Sequence, residues 1–487
     1  MRGRVASHLL GAGIMLGTGW RILQETVPER LDFALAFGLL LLVLAVLQVR
    51  GLLHLPESDR TLLGIPAVLL VGAIIWRDSE LLFLVNLAAL AGLVAFARPV
   101  RVGARAQLLE SGVGDLIRRV LHAVRGMAFG TRSLLGALPG PESVRDPGSA
   151  WSAGIGVLAV SPILLIFSLL LGSADPAFGQ LLGNLADPEK IAEQVLPLGF
   201  FCWIASGLLW SLTRPPLAKE VAPSGGRAST AMVTGALAPI ALLFLTFLLL
   251  QSRYLFGGRA VVLGTANLSF AEYARRGFFE LVAVSAMMLP ILLFADWVAV
   301  QSTDSERRRF RGMARVLLLL LCGMLGSALL RMSIYTAEYG LTELRLFTTV
   351  FMGWLALVFS WFAATVLRNR RERFTAGALG SALALVLLLN VAGTDDLIVR
   401  ANAWRARHGR AFDTAYLSNL GAGAVPAAIS VLPGLPPGVR CEAARQLMGR
   451  WGSASDRANI WTIERWRAAS LVRQLDTPNC WGERIGP

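Results

Sequence analysis

About ten stretches of this chain are too apolar, and too long, for a soluble domain. One runs from Leu31 to Val49 with almost no charge. The others centre on Ile65–Trp76, Leu81–Ala97, Trp151–Gly172, Val195–Leu212, Met232–Leu250, Phe278–Val300, Val316–Leu330, Leu344–Leu367 and Ala376–Val391. A helix needs about 20 apolar residues to cross a bilayer core of about 30 Å. The pattern predicts a polytopic, all-α transmembrane bundle. Only 16% of the residues are charged, against about 25% in soluble domains. The run Val5–Gly19 behind Arg2 and Arg4 has the look of a signal peptide. No clear small-x-small cleavage site follows it, and further spans come at once, so it reads as a first span. The count is then about 11 spans.

Loop charges set an orientation, because basic residues stay on the cytoplasmic side. The loop from Arg98 to Ala150 is rich in arginine, and Arg307–Arg309 and Arg368–Arg373 fall on the same side when the spans alternate. The opposite loops are acidic or near neutral. This predicts an inner (plasma) membrane protein with a cytoplasmic N-terminus and its C-terminal domain outside. The net charge of +14 is accounted for by these loops, so no nucleic-acid partner is expected. One loop, Gln251–Gly277, is basic on the side where it should not be.

Four regions follow: a four-span segment over 1–97, a cytoplasmic basic loop over 98–150, a seven-span core over 151–392, and a small helical extramembrane domain over 393–487. Within the loop, Arg105–Val124 has apolar residues at helical spacing and reads as an amphipathic helix lying on the inner leaflet. In the tail, Cys441 and Cys480 are candidates for a disulfide. Such a bridge suits an oxidising compartment, although spacing alone proves no pairing. Cys202 and Cys322 lie in spans and read as packing residues.

Charges within or at the ends of spans are the candidates for function. Glu272, Arg276 and Glu280 are spaced i, i+4, i+8 and share a helix face, with Arg275 beside them. Arg331 and Arg345 fall at a depth matching that of Glu280, and Glu280 is the natural partner of Arg331. Tyr335 and Tyr339 follow Arg331 at helical spacing. Asp175 and Tyr254 lie at other outer helix ends. Together they outline an outward-facing polar cluster capped by the tail. The plainer alternative is that these side chains snorkel to headgroups or hold the bundle in register. There is no Walker motif, no HExxH and no cysteine–histidine cluster, and the four histidines are scattered; no metal or cofactor is expected.

The segments Ser173–Pro176, Tyr254–Gly258, Glu272–Leu281, Arg331–Tyr335, Tyr339–Arg345 and Asp396–Asn402 resemble a bacterial family of multi-span membrane proteins, domain of unknown function 4173, over roughly residues 150–430. The resemblance implies an integral protein of the bacterial envelope and supplies no catalytic residues. Three functions stay open. The first is a sensing or scaffolding protein that binds an anionic lipid or an envelope protein partner. The second is a transporter or flippase for an anionic small molecule or lipid headgroup. The third is a membrane transferase using a lipid-linked donor.

Overall fold

The computed structural model describes residues 2–51, 53, 57–97, 113–136, 196–213, 230–256, 278–298, 303–452 and 461–475. Among the described residues the chain is helical, with no strand. The helices are α1 (Arg2–Thr26), α2 (Leu31–Val49), α3 (Glu57–Trp76), α4 (Glu80–Phe96), α5 (Val113–Leu135), α6 (Leu196–Leu212), α7 (Thr230–Phe256) and α8 (Phe278–Val298). There follow α9 (Asp304–Tyr339), α10 (Glu343–Thr365), α11 (Arg371–Ala392), α12 (Thr394–Arg407), α13 (Thr414–Asn419), α14 (Val425–Val431), α15 (Pro437–Trp451) and α16 (Ile463–Arg473).

Seven of these, α2, α3 and α7–α11, are long and apolar enough to cross a membrane. The expected count of 11 is not reached among the described residues. Helices α4 and α6 are 17 residues each, about 26 Å at 1.5 Å per residue, slightly short of the core. Helix α1 is long enough, but Arg2, Arg4, Arg21, Glu25 and its glycines dilute its apolar character. The expected span Trp151–Gly172 lies outside the described residues.

Two membrane cores and one cap core result. The first core joins α1–α4, α6 and one face of α11. Its tightest joint is α6, which inserts between α1 and α5. Gly13 and Gly17 of α1 leave room for Ser206 and Cys202, and Gly126 and Gly130 of α5 for Ser211 and Gly207. A Cβ on Gly207 would stand 2.4 Å from the carbonyl oxygen of Gly126. Small residues four apart let membrane helices approach this closely, so that dispersion and short polar contacts hold them. The Thr131 hydroxyl donates to the Trp203 carbonyl at 2.5 Å, and Trp203 Nε1 donates to the Ala128 carbonyl at 3.0 Å.

Helix α5 covers part of the basic loop. It starts at Val113, and Arg105–Gly112 lie outside the described residues. It is amphipathic, and Gly126 and Gly130 pack against α6. Its Arg119 is buried and donates to the Phe96 carbonyl at 2.7 Å, closing the C-terminus of α4. Val120, Leu121, Val124 and Phe129 remain exposed.

The second core joins α7–α10 and the start of α11. On α7 the stripe Leu237, Ala241, Phe244, Leu248 and Gln251 recurs at helical spacing, and Leu248 abuts Gly323 of α9. Helix α9 has 36 residues, about 54 Å, so it outruns the bilayer core. It opens on a capping box between Thr303 and Glu306 and ends at Gly340. Gly393, at φ 71°, separates α11 from α12. This left-handed conformation, which suits glycine, turns the chain from the membrane helix into the tail. Helices α12–α16 share a third core, against which Leu341 and Leu346 of the α9–α10 corner also pack.

Candidate functional site

Four segments far apart in sequence meet at one end of the bundle. They are the α3–α4 turn (Arg77–Ser79), the α9–α10 corner (Gly340–Glu343), the α11–α12 bend (Gly393–Asp395) and the cap. Asp78 is at their centre. Its Oδ1 accepts from Arg465 Nε at 2.5 Å, and its Oδ2 accepts from the Ala422 backbone N–H at 2.9 Å. Glu464 answers from the cap: Oε1 pairs with Arg77 at 2.5 Å, and Oε2 accepts from the Asp78 N–H at 2.9 Å. The Ser79 hydroxyl donates to Glu343 Oε1 while its own oxygen accepts from Leu82 N–H, capping α4. The Glu343 N–H donates to the Tyr416 hydroxyl at 2.8 Å. Arg30 donates to the Ser79 carbonyl at 3.2 Å and lies over the Phe83 ring.

The corner is held as firmly. The Asn402 side chain accepts from Leu341 N–H and donates to Leu341 C=O, both at 2.8 Å. Arg405 donates to the carbonyls of Ala337 and Glu338, the last turn of α9, and Arg410 pairs with Glu338 at 3.0 Å. Free carbonyls at a helix C-terminus carry partial negative charge, and cations there are stabilising.

The junction is thus a small enclosure of acids and bases. Asp78 and Asp395 are buried. Burial, reinforced by Glu343, Glu464 and Asp78, pushes the Asp395 carboxyl up to about 7. Burial also raises Glu464, against the Asp78 N–H and Arg77, which favour its charge. Arg30 is lowered, chiefly by burial, with Asp78 opposing. Asp78, Glu343 and Glu464 are each bonded to a partner. The Asp395 carboxyl has no hydrogen bond among the described residues. Chemically, the arrangement clamps segments together and can hold one proton near neutral pH.

The residues singled out from sequence are only partly gathered. Asp175, Glu272, Arg275 and Arg276 lie outside the described residues, and Tyr254 falls in the last turn of α7. Arg331 is buried on α9. Glu280, in the first turn of α8, is exposed, and no ion pair joins it to Arg331 among the described residues. Tyr335, Tyr339 and Arg345 do come together. The Arg345 guanidinium lies 4.1 Å from the Tyr335 ring centre and donates to the Gly340 carbonyl, and the two tyrosine rings are 5.2 Å apart. Cys441 is held in a disulfide; Cys480 lies outside the described residues.

Several polar groups escaped the sequence reading. Asp78, Asp395 and Glu464 are not among the residues singled out from sequence. Asp296 sits inside an apolar run and lies 2.7 Å from Arg371 at the start of α11. Asn86 and Asn390 face each other between α4 and α11 in a reciprocal pair at 2.8 and 3.0 Å, both buried. Gln251, Ser285 and Ser327 are buried in the second core without hydrogen-bond partners among the described residues. A search for every ionisable or amide side chain within the apolar runs would have flagged Asp296, Asn86 and Asn390.

A family model described as domain of unknown function (DUF4153) matches residues 64–431. This overturns the resemblance to domain of unknown function 4173. The short motifs behind that resemblance are arginine, tyrosine and acidic residues at helix ends, which the bilayer boundary favours in many polytopic proteins. The matched range begins well before residue 150 and takes in Asp78, Ser79, Glu343, Asp395, Asn402 and Tyr416, but ends before Glu464 and Arg465. No curated protein and no solved structure matches the chain.

Proposed function

We propose, starting from the fact that the chain belongs to the DUF4153 family, that it is a multi-pass protein of the bacterial inner membrane with a binding rather than a chemical role. Its C-terminal helices form a fixed cap on the outer face, where an anionic lipid or an envelope protein partner is sensed or held. The observation that carries this reading is the clamp on Asp78. Side chains of the α3–α4 turn, the α9–α10 corner and the cap bond one another, so that three of its carboxylates are committed to partners. Such carboxylates are poorly placed to take protons from a substrate, which sets the transferase reading behind. The loop charges support the outer placement of the cap and an eleven-span topology with the N-terminus inside. A Cys441–Cys480 bridge belongs to the same reading, since disulfides persist outside the cytoplasm.

The test is maleimide labelling in intact cells, using an impermeant reagent on a variant lacking Cys202 and Cys322. Labelling of the cap only after reduction is the expected result. Labelling only after lysis, whatever the redox state, would put the cap inside and overturn the reading.

A transporter for an anionic substrate is the second reading, favoured by Gln251, Ser285 and Ser327. Polar groups left without partners inside a bundle are costly unless water or a ligand satisfies them. Against it, α7 and α8 run unbroken through Pro239 and Pro290, so neither supplies the discontinuous helix common in transporters. Accumulation of a labelled anion in proteoliposomes, lost on Gln251→Leu, would favour transport over a fixed cap.

A further inference from the structure

A cleft of about 1050 Å³ opens between the second half of α9, the start of α10 and α12. Its wall is apolar, made by Leu329, Leu330, Met332 and Leu346. Leu330 is exposed, so the wall continues the surface that α9 turns to its surroundings. At the cap end the lining changes to Arg405, His408 and Arg410. We infer that this cleft holds one anionic phospholipid of the surrounding leaflet, its acyl chains along α9 and its phosphate at the arginine rim. The inference deepens the binding role proposed above and rests on it.

Charge supports the assignment. Three guanidinium groups, Arg345, Arg405 and Arg410, gather at the end of α9, and among the described residues the one carboxylate bonded to any of them is Glu338, on Arg410. Arg405 spends its hydrogen bonds on carbonyls rather than on a carboxylate. Burial disfavours that charge most, Arg410 and Arg345 add to this, and Glu338 opposes it; a phosphate would relieve the repulsion. Arginine presents donors in a fork that fits phosphate oxygens.

Position supports it too. The rim stands at the last turn of a membrane-crossing helix, where headgroups lie. Trp404, exposed at the rim, packs against His408 with ring centres 4.3 Å apart, and tryptophan favours that interface. His408 Nδ1 sits 2.8 Å from the Trp404 carbonyl. A carbonyl can only accept, so Nδ1 carries the hydrogen. A soluble anion would use the rim but would not need the apolar wall.

The full chain, purified in mild detergent, can be tested by native mass spectrometry with added phosphatidylglycerol or phosphatidylcholine. One phosphatidylglycerol should be retained in preference. Arg410→Gln should weaken that preference about fivefold, as expected for about 1 kcal/mol per arginine at an anionic surface. Thr349→Trp, which fills the wall and spares the rim, should reduce retention of the lipid. Arg400→Gln, on the exposed side of α12, should change neither. Thermal melting of each variant checks folding; if Thr349→Trp does not fold, Arg410→Gln decides. Equal retention of the two lipids by the wild type, or an unchanged preference in Arg410→Gln, would overturn the inference. So would displacement of the lipid by glycerol phosphate at comparable concentration, which would mark a site for a soluble anion. Lipid selectivity can fail while the cap still labels from outside, so the two proposals fall separately.

Discussion

Asp395 stands in the first turn of α12, buried beside Glu343, Glu464 and Asp78. Its carboxyl titrates at about 7 in the folded protein, against 3.8 as its ordinary value. Between those values the folded state holds a proton that the unfolded chain has released. Stability from this residue is therefore fully present below about pH 4 and is lost as pH rises through about 7. The loss amounts to a few kcal/mol. Asp395→Asn keeps the shape and removes the titration. The variant should melt higher than the wild type at pH 8, with the gap closing towards pH 5, measured by thermal unfolding in one detergent. An unchanged slope of melting temperature against pH would assign the dependence to other groups. Ser285 makes the matching point within the bundle. Its hydroxyl is buried without a partner, so Ser285→Ala should be neutral or stabilise by about 1 kcal/mol. A clear loss of stability would reveal a bound water or ligand there.

At the scale of elements, α11 is the helix both membrane cores use. Its early part packs with α10, where Trp361 Nε1 donates to the Arg373 carbonyl and Trp354 Nε1 to Ser381. Its later part faces α4 through the Asn86–Asn390 pair. Two amides that satisfy each other fix both the register and the rotation of the helices, which apolar contacts alone leave loose. Asn86→Leu or Asn390→Leu strands the other amide in an apolar setting and should cost about 1–2 kcal/mol. The double variant should recover part of that loss. Strictly additive losses in the cycle would show that the two side chains act independently. Helix α6 shows the opposite way of joining helices, by removing side chains. Its contact with α5 depends on Gly126, Gly130 and Gly207: a larger residue at Gly130 or Gly207 meets backbone, and one at Gly126 meets the Ser211 side chain.

For the whole molecule, the cap is tied to the membrane helices by charge as well as by its apolar core. Arg77 and Glu464 are each only 11% exposed, so breaking the pair leaves a buried charge alone. Breaking such pairs costs about 3–5 kcal/mol. Glu464→Gln should loosen the cap while the membrane cores stay folded. Limited proteolysis of purified protein would read this as faster cleavage after Arg407–Arg410, with the transmembrane fragment intact. A wild-type cleavage rate would mean that Leu341, Leu346 and the cap core hold the domain without the ion pair.

The all-helical class and the membrane setting follow from the sequence by itself, because the length and apolarity of a run are local properties. The alternation of loops also puts the α3–α4 turn, the α9–α10 corner and the tail on one side, and these three do meet. Arg345, Tyr335 and Tyr339 were legible as a group because they lie on two helices joined by a short corner. What the tertiary structure alone decided is who pairs with whom. Asp78 and Arg465 are 387 positions apart, and Asn86 and Asn390 are 304 apart. No periodicity links residues at such distances. Helix depth can be counted along a chain, whereas helix rotation is set by packing. The same holds for the fit of Gly126 and Gly130 against α6.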